Sequence, residues 1–401
     1  MNLIVLSGMY PNQVNVNGGI FVEKQVIALK KIIDGEIFVV APIPWSPRLL
    51  WYKKKWQLYG KEKKFLIKNN IKVFHPRYFR FPGRHFGVFD PFVIYYGVRS
   101  LVRKLASTNN GDAIIHAHTI LPVGLAAILL KKELKIPVIC TAHGGDTYIL
   151  PFRSKLYYYQ AKTAINNADT VVAVSERLKK IILEISPQSK NVQVVTNGID
   201  RDWLEHKASA SSSQKPLKIL FIGRLSIEKG IEELLRAFLL LSTEHADCEL
   251  VLVGENLMAS WLETFLKKNK LQQRVKVTGA IDHSELPAFY KNASIFVLPS
   301  HMEGMPTVMF EAMGIGLPVI ISDVGGVSEV IKNNVNGLLI KAGDWKDLYL
   351  KLKLLINDEK LRARLGAEAR KTVDMHYTWD INAGKMQKIY SELRKKGLVS
   401  R

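Results

Sequence analysis

The stretch Ile295-Phe-Val-Leu-Pro-Ser300-His-Met-Glu303-Gly-Met-Pro-Thr-Val-Met-Phe-Glu311-Ala-Met-Gly-Ile-Gly-Leu-Pro-Val319-Ile-Ile-Ser322 reads in turn as strand, loop, helix and strand. Residues 295–298 are a continuous apolar run, and 318–322 are a second one. Runs of this kind, without polar alternation, predict strands covered on both faces. The loop between them carries Glu303, Gly304, Met305 and Pro306. Gly304 lets a backbone approach a ligand closely, and Pro306 suits the first turn of the helix that follows. The free backbone amides at such a helix start favour an anion. Glu303 and Glu311 therefore sit where a ligand-facing loop belongs, one in the loop and one in the helix.

Working outward, the same alternation fills the chain. Strands are predicted at 3–6, 37–40, 71–74, 113–116, 138–141, 170–174 and 192–195 in the first half. The second half adds 217–222, 249–253, 275–278, 295–298, 318–322 and 337–340. Helix-length segments separate them, so the class is α/β, with two doubly wound Rossmann-like domains. The low-complexity run from Lys207 to Pro216 reads as a linker at 206–216. It sets one domain at 1–205 and another at 217–378. Residues 379–401 have a helical pattern and can return to the first domain. Ligands bind such sheets at the carboxyl ends of strands, so a cleft facing both domains is the expected site.

Composition narrows the function. Of 401 residues, 47% are hydrophobic and 23% charged, which excludes a disordered chain. Lys and Arg number 57 against 36 Asp and Glu, a net charge of +21, and so large an excess implies an acidic partner. Twelve of the basic residues lie between Arg48 and Arg84 with one acid, Glu62, among aromatics such as Trp45, Trp51, Tyr52, Trp56, Tyr59, Phe65, Phe79, Phe81 and Phe86. That pattern fits an anionic membrane surface or a lipid-pyrophosphate, and equally a solvated basic face with its rings turned inward. No zinc-finger, ribonucleoprotein or helix-turn-helix pattern accompanies it, so nucleic acid is not expected.

Two cysteines, Cys140 and Cys248, exclude a disulfide scaffold and fit a reducing compartment. The first residues form no signal peptide, and the longest apolar stretch, 120–130, falls short of the roughly twenty residues of a bilayer span. A cytoplasmic location, peripheral to a membrane at most, is expected. His116 and His118 share a strand face without further ligands at zinc spacing, and no Asp-x-Asp motif ends a strand. Neither a metal nor another cofactor is expected.

The string 300–319 resembles the retaining nucleotide-sugar glycosyltransferases of family 4, which have the two-domain GT-B fold. The likeness continues through Phe221-Ile-Gly-Arg-Leu-Ser-Ile-Glu-Lys-Gly230, Val253-Gly254, Ile321-Ser-Asp-Val-Gly-Gly-Val-Ser-Glu-Val330, Asn336-Gly337 and Asn197-Gly-Ile-Asp200. The first half matches more loosely, at Asn17-Gly-Gly19, His116-Ala-His118, Thr141-Ala-His-Gly-Gly-Asp146 and Val174-Ser-Glu176.

The resemblance implies roles. Arg224 and Lys229 match the pair that grips the donor diphosphate. Glu311 matches the carboxylate that takes the ribose hydroxyls, a diol that a carboxylate can accept from twice. Glu303 matches the residue beside the transferred sugar, with the amides of Gly304 and Met305. Gly18 and Gly19 match a loop against the diphosphate or the donor sugar, and His143 a histidine that approaches the donor sugar or the reaction centre. His118 and Asp146 would lie on the acceptor side. Retention and a UDP- or GDP-sugar donor follow from the resemblance alone, and the resemblance with the basic first domain and cytosolic character implies a lipid-linked or other saccharide acceptor in bacterial surface polysaccharide synthesis. A sugar-nucleotide epimerase of related fold would lack this string. A nicotinamide dehydrogenase would need Gly-x-Gly-x-x-Gly after a first strand. A non-catalytic binding protein would have lost Glu303, Arg224 or Lys229, and all three are present.

Overall fold

The computed structural model describes all residues except 46, 48–53, 81–86, 109–110, 207–215 and 400–401. The linker run 207–215 and the aromatics Trp51, Tyr52, Phe81 and Phe86 thus lie outside the described residues. Two compact units form: Met1–Thr196 with Trp379–Arg401, and Asn197–Thr378.

The first unit contains β1 (Asn2–Ser7), β2 (Ile37–Val40), β3 (Ile43–Trp45), β4 (Phe65–Lys68) and β5 (Ile71–Phe74). β6 (Arg77–Phe79), β7 (Ala113–His118), β8 (Val138–Ala142), β9 (Thr170–Ala173) and β10 (Val192–Val194) follow. Eight of them make one sheet in the order β10-β9-β8-β7-β1-β2-β5-β4, while β3 and β6 pair apart. Only β4 runs antiparallel, on the sheet edge. Every residue of β1, β2, β7, β8 and β9 is buried, which is why these strands read as unbroken apolar runs. The sequence reading missed β3, β4 and β6. They are three or four residues long, and β4 exposes Phe65 and Ile67, so neither length nor burial marks them.

The aromatics of the basic stretch divide between the two environments considered for them. Trp45, Phe65 and Phe79 are exposed, whereas Trp56 and Tyr59 are half-buried and meet edge to face at 6.0 Å. Glu62, the one acid, is buried and accepts the amide of Gln13.

The helix Trp379–Val399 belongs to this first unit. Trp379, Ala383, Met386, Ile389, Tyr390 and Leu393 form a buried stripe at helical spacing, in one core with Leu3, Val5, Val22 and Val26. Gln25 Nε2 donates to Asn382 Oδ1 at 2.7 Å, and Asn382 Nδ2 donates to the Thr196 carbonyl at 2.7 Å.

The second unit holds β11 (Leu217–Ile222), β12 (Cys248–Val253), β13 (Val275–Gly279), β14 (Ile295–Leu298), β15 (Val319–Ser322) and β16 (Leu338–Ile340). All are parallel, in the order β13-β12-β11-β14-β15-β16. The chain enters this unit at Asn197, nine residues before the expected linker, because the helix Arg201–Glu205 packs here. Trp203 meets Tyr290 edge to face at 5.5 Å, and Arg370 Nη1 donates to the carbonyls of His206 and Gly314, each at 3.0 Å.

Both sheets are doubly wound, so each reverses direction at an interior point. In the first unit that point lies between β1 and β7, and in the second between β11 and β14. The carboxyl ends of strands at such a point leave a crevice open to ligands.

Candidate functional site

In the second unit the switch point presents two loops. Gly223 and Arg224 follow β11, and the Arg224 side chain is exposed. A 3-10 turn, Ile227–Lys229, then places Lys229 just before the helix Ile231–Glu244. After β14 the other loop carries Ser300 and Glu303. Lys229 Nζ reaches Glu303 Oε1 at 2.5 Å, and Ser300 Oγ donates to the same oxygen at 2.7 Å. Their side chains are 22% and 10% exposed, so the pair is partly withdrawn from water.

The loop is fixed from below. Gly326 N–H donates to the Gly304 carbonyl at 2.9 Å, and Asn197 Nδ2 donates to the Met305 carbonyl at 3.1 Å. Gly325 has a φ of +56°, and a methyl there would stand 2.1 Å from the Glu303 carbonyl oxygen. Only glycine permits that approach. Both carbonyls are spent inward. Among the described residues, the amides of Gly304 and Met305 donate to no protein acceptor.

Glu311 lies in the helix Thr307–Ile315, which is buried nearly all round, and is itself 4% exposed. A carboxylate in such a place must be hydrogen-bonded. Tyr290 Oη donates to Oε2 at 2.8 Å, and His283 Nε2 stands 2.9 Å from Oε1. His283 in turn packs on the Trp203 ring at 5.3 Å. Burial and the neighbouring carboxylate push the Tyr290 hydroxyl well above its ordinary value, so it remains a donor. Sequence reasoning missed Tyr290, His283 and Ser300, and only Ser300 lies within the string that drew attention.

In the first unit, Gly18 and Gly19 precede the helix Ile20–Lys30, with Gly19 at φ +74°. Phe21 of that helix packs on His143 with ring centroids 4.5 Å apart. His143 follows β8, and His118 ends β7. His118 Nδ1 and His143 Nε2 are 3.0 Å apart, with the rings stacked at 13°. Beneath them His116 Nδ1 lies 2.7 Å from Tyr390 Oη, and its Nε2 lies 2.7 Å from Thr141 Oγ1. Burial lowers all three imidazoles, His116 and His143 to about 3 and His118 well below its usual range. They are neutral near pH 7.

Two residues expected on the acceptor side are buried in this unit. Asp146 is expected on the acceptor side, yet its carboxylate is buried and spent on the backbone. It accepts the amides of Ile120 at 2.7 Å, His143 at 3.1 Å and Gly144 at 2.9 Å. His118 is likewise expected to line an acceptor cleft, but it is 1% exposed and enclosed by the other two histidines. Asp146 clamps the end of β7 to the loop after β8, and His118 sits within that clamp. Among the described residues, no three His, Cys, Asp or Glu are grouped so as to hold a metal ion. No helix among them is long and apolar enough to cross a membrane.

With this geometry in hand, similarity to known proteins is decisive. The family model for glycosyl transferases group 1 matches residues 203–372, and that for glycosyltransferase family 4 matches 59–203. An uncharacterized glycosyltransferase of Methanocaldococcus jannaschii is 32% identical over 286 residues, 71% of this chain and 77% of that one. The chain belongs to the family 4, group 1 glycosyltransferases. A Bacillus subtilis protein named for teichuronic acid biosynthesis, the glycosyltransferase TuaC, is 28% identical over 98% of this chain and 99% of its own. Anabaena HepE, solved with UDP-glucose, shares the GT-B fold at a TM-score of 0.73 and 18% identity, over 98% of this chain and 100% of that one. In this glycosyltransferase the two matched regions meet at residue 203, inside the helix that opens the second unit.

Proposed function

We propose that this glycosyltransferase moves a hexosyl unit, with retention, from a UDP- or GDP-sugar to a hydroxyl of a lipid-linked saccharide acceptor. The pathway would be that of a cell-surface polysaccharide, at the cytoplasmic face of the membrane. The observation that carries the reading is the Lys229–Glu303 pair at the switch point of the second unit, beside two backbone amides with no protein acceptor among the described residues. It joins a cation for the diphosphate to a carboxylate for sugar hydroxyls within 2.5 Å. The full-length likeness to TuaC supports a polysaccharide acceptor, and a HepE structure of the same fold holding UDP-glucose supports the donor class.

On this reading Arg224 and Lys229 hold the diphosphate, Glu311 the ribose, and Glu303 with the amides of Gly304 and Met305 the sugar. Gly18 and Gly19 let their loop lie against the donor, and His143 serves the reaction centre. The bond from the anomeric carbon to the diphosphate oxygen breaks as the acceptor oxygen bonds the same carbon. The acceptor proton passes to the departing phosphate. Fixed positive charge and amides stabilise the leaving group, and holding the acceptor in place supplies the rest. No metal is required by this scheme.

A thermal-shift screen against UDP- and GDP-sugars, without added metal, tests the reading, since a ligand of the folded state raises the melting temperature. The expected result is a shift with one donor, lost in Arg224→Ala. Absence of a shift with every nucleotide sugar and with free UDP and GDP overturns it.

A further inference from the structure

The first unit contains a histidine pair of which transfer as described above uses His143 alone and leaves His118 without a role. His143 Nε2 is taken by His118 Nδ1 at 3.0 Å, so the ring nitrogen of His143 left for any ligand is Nδ1. That atom and His118 Nε2 are both buried and have no hydrogen-bond partner among the described residues. A buried polar atom without a partner is costly, and such atoms in a fold mark a ligand, a water or a functional constraint.

Several groups hold the pair in place. Asp146 binds the amide of Ile120, two residues past His118, and the amide of His143 itself. Between His118 and Ile120, Thr119 has a φ of +105°, a strained backbone for a β-branched residue. The stacking of the rings at 13° and the packing of Phe21 on His143 remove the remaining freedom. His116 is engaged on both nitrogens by Tyr390 and Thr141, and so cannot take His118's place.

We propose that His118 is a positioning residue that engages His143 Nε2, fixes the ring in one tautomer, and so presents Nδ1 in a set protonation state to the transferring sugar or the incoming hydroxyl. Two neutral imidazoles sharing one hydrogen bond must divide as one donor and one acceptor. The state of His143 Nδ1 is therefore the inverse of whatever His118 imposes at Nε2. Asp146 sets the spacing of the two rings through the backbone. The inference rests on His143 serving the reaction centre, and its test includes a readout that does not.

The variants are His118→Asn, whose side-chain amide can stand where Nδ1 stands, and His118→Leu, which fills the same buried volume without a polar atom. If His118 only filled space, leucine would be the better substitute. The expected result is the reverse: Asn keeps kcat within about threefold, and Leu lowers kcat by about tenfold or more with donor KM unchanged. The second readout is the 15N spectrum of the histidine side chains in the full chain. His143 is expected to show one protonated and one bare nitrogen in the wild type and in His118→Asn, and averaged resonances in His118→Leu. Equal kcat in the two variants, a change in KM alone, or averaged His143 resonances in the wild type would overturn the proposal. Should the wild type turn over no nucleotide sugar, the proposed function fails, while the tautomer measurement still decides the role of His118.

Discussion

Lys229 Nζ stands 2.5 Å from Glu303 Oε1, so the cation proposed for the diphosphate and the carboxylate proposed for the sugar are partners of each other. Ser300 shares the same oxygen, and the pair is largely shielded from water. Neither charge acts alone: removing one leaves the other partly buried and underpaired.

The kinetic consequence is non-additivity. Lys229→Ala and Glu303→Gln are each expected to lower kcat/KM for the donor. The double variant should lose less than the sum, by a coupling of about 0.5–3 kcal/mol, as for residues in direct contact. A double-mutant cycle measures this. Additive losses would mean that the two side chains serve the donor independently.

Glu311 offers a separation of stability from binding. The Tyr290 hydroxyl is fully buried and donates to Glu311 Oε2. Glu311→Ala leaves that hydroxyl only the Val308 carbonyl at 3.4 Å and should cost about 1–3 kcal/mol in urea unfolding. Glu311→Gln keeps an acceptor for it and should cost less. Both variants should bind nucleotide more weakly in titration calorimetry, because each lacks the charge proposed for the ribose diol. Unchanged nucleotide affinity in both would remove Glu311 from the donor site.

The site was legible in the sequence where its chemistry is local, and hidden where it is not. Glu303, Gly304 and Glu311 lie in one string between two strands, so strand–loop–helix reading reached them, whereas Met305 and Lys229 entered through the family resemblance. The Lys229–Glu303 contact spans 74 positions and was not visible as a contact. Tyr290 and His283 lie on a short turn and helix with no periodicity of their own, and only burial of the Glu311 carboxylate explains them. His116 and Tyr390 are 274 positions apart, joined because the last helix lies in the first unit's core. For His118 and Asp146 the residue types signalled polarity but not direction, and both turn inward. The fold was more open to reading: the long strands of both sheets, β13 excepted, are buried on both faces and announce themselves, whereas the half-exposed β4 does not.

Gly19 carries a conformational prediction. At φ +74°, a methyl on its Cα would stand 2.2 Å from the Met9 carbonyl oxygen. Gly19→Ala should therefore lower the urea midpoint by the equivalent of more than about 1 kcal/mol and displace the start of the helix that packs Phe21 on His143. Gly145→Ala is the control, since a methyl there meets nothing within 4 Å. Equal midpoints for the two variants would show that the Gly19 loop relaxes freely.

The buried histidines make the first unit acid-sensitive, with a definite sign. His116 and His143 hold folded values near 3 against an ordinary 6.5, because burial disfavours the cation. Below pH 6.5 the unfolded chain binds protons that the folded chain does not, so stability falls as the pH falls, and continues to fall toward 3. Each histidine that stays neutral contributes a slope of about 1.4 kcal/mol per pH unit within that window. Burial raises Asp146, which acts with the opposite sign, so over the interval from pH 6.5 to 5 the histidine contribution is read by comparison with a histidine variant. Urea unfolding across that interval should show a steady loss, and His116→Gln, which removes one such group, should flatten the slope while lowering stability at pH 8. A slope unchanged in His116→Gln would mean that His116 is charged in the folded protein and that its hydrogen bonds to Tyr390 and Thr141 are made by an imidazolium.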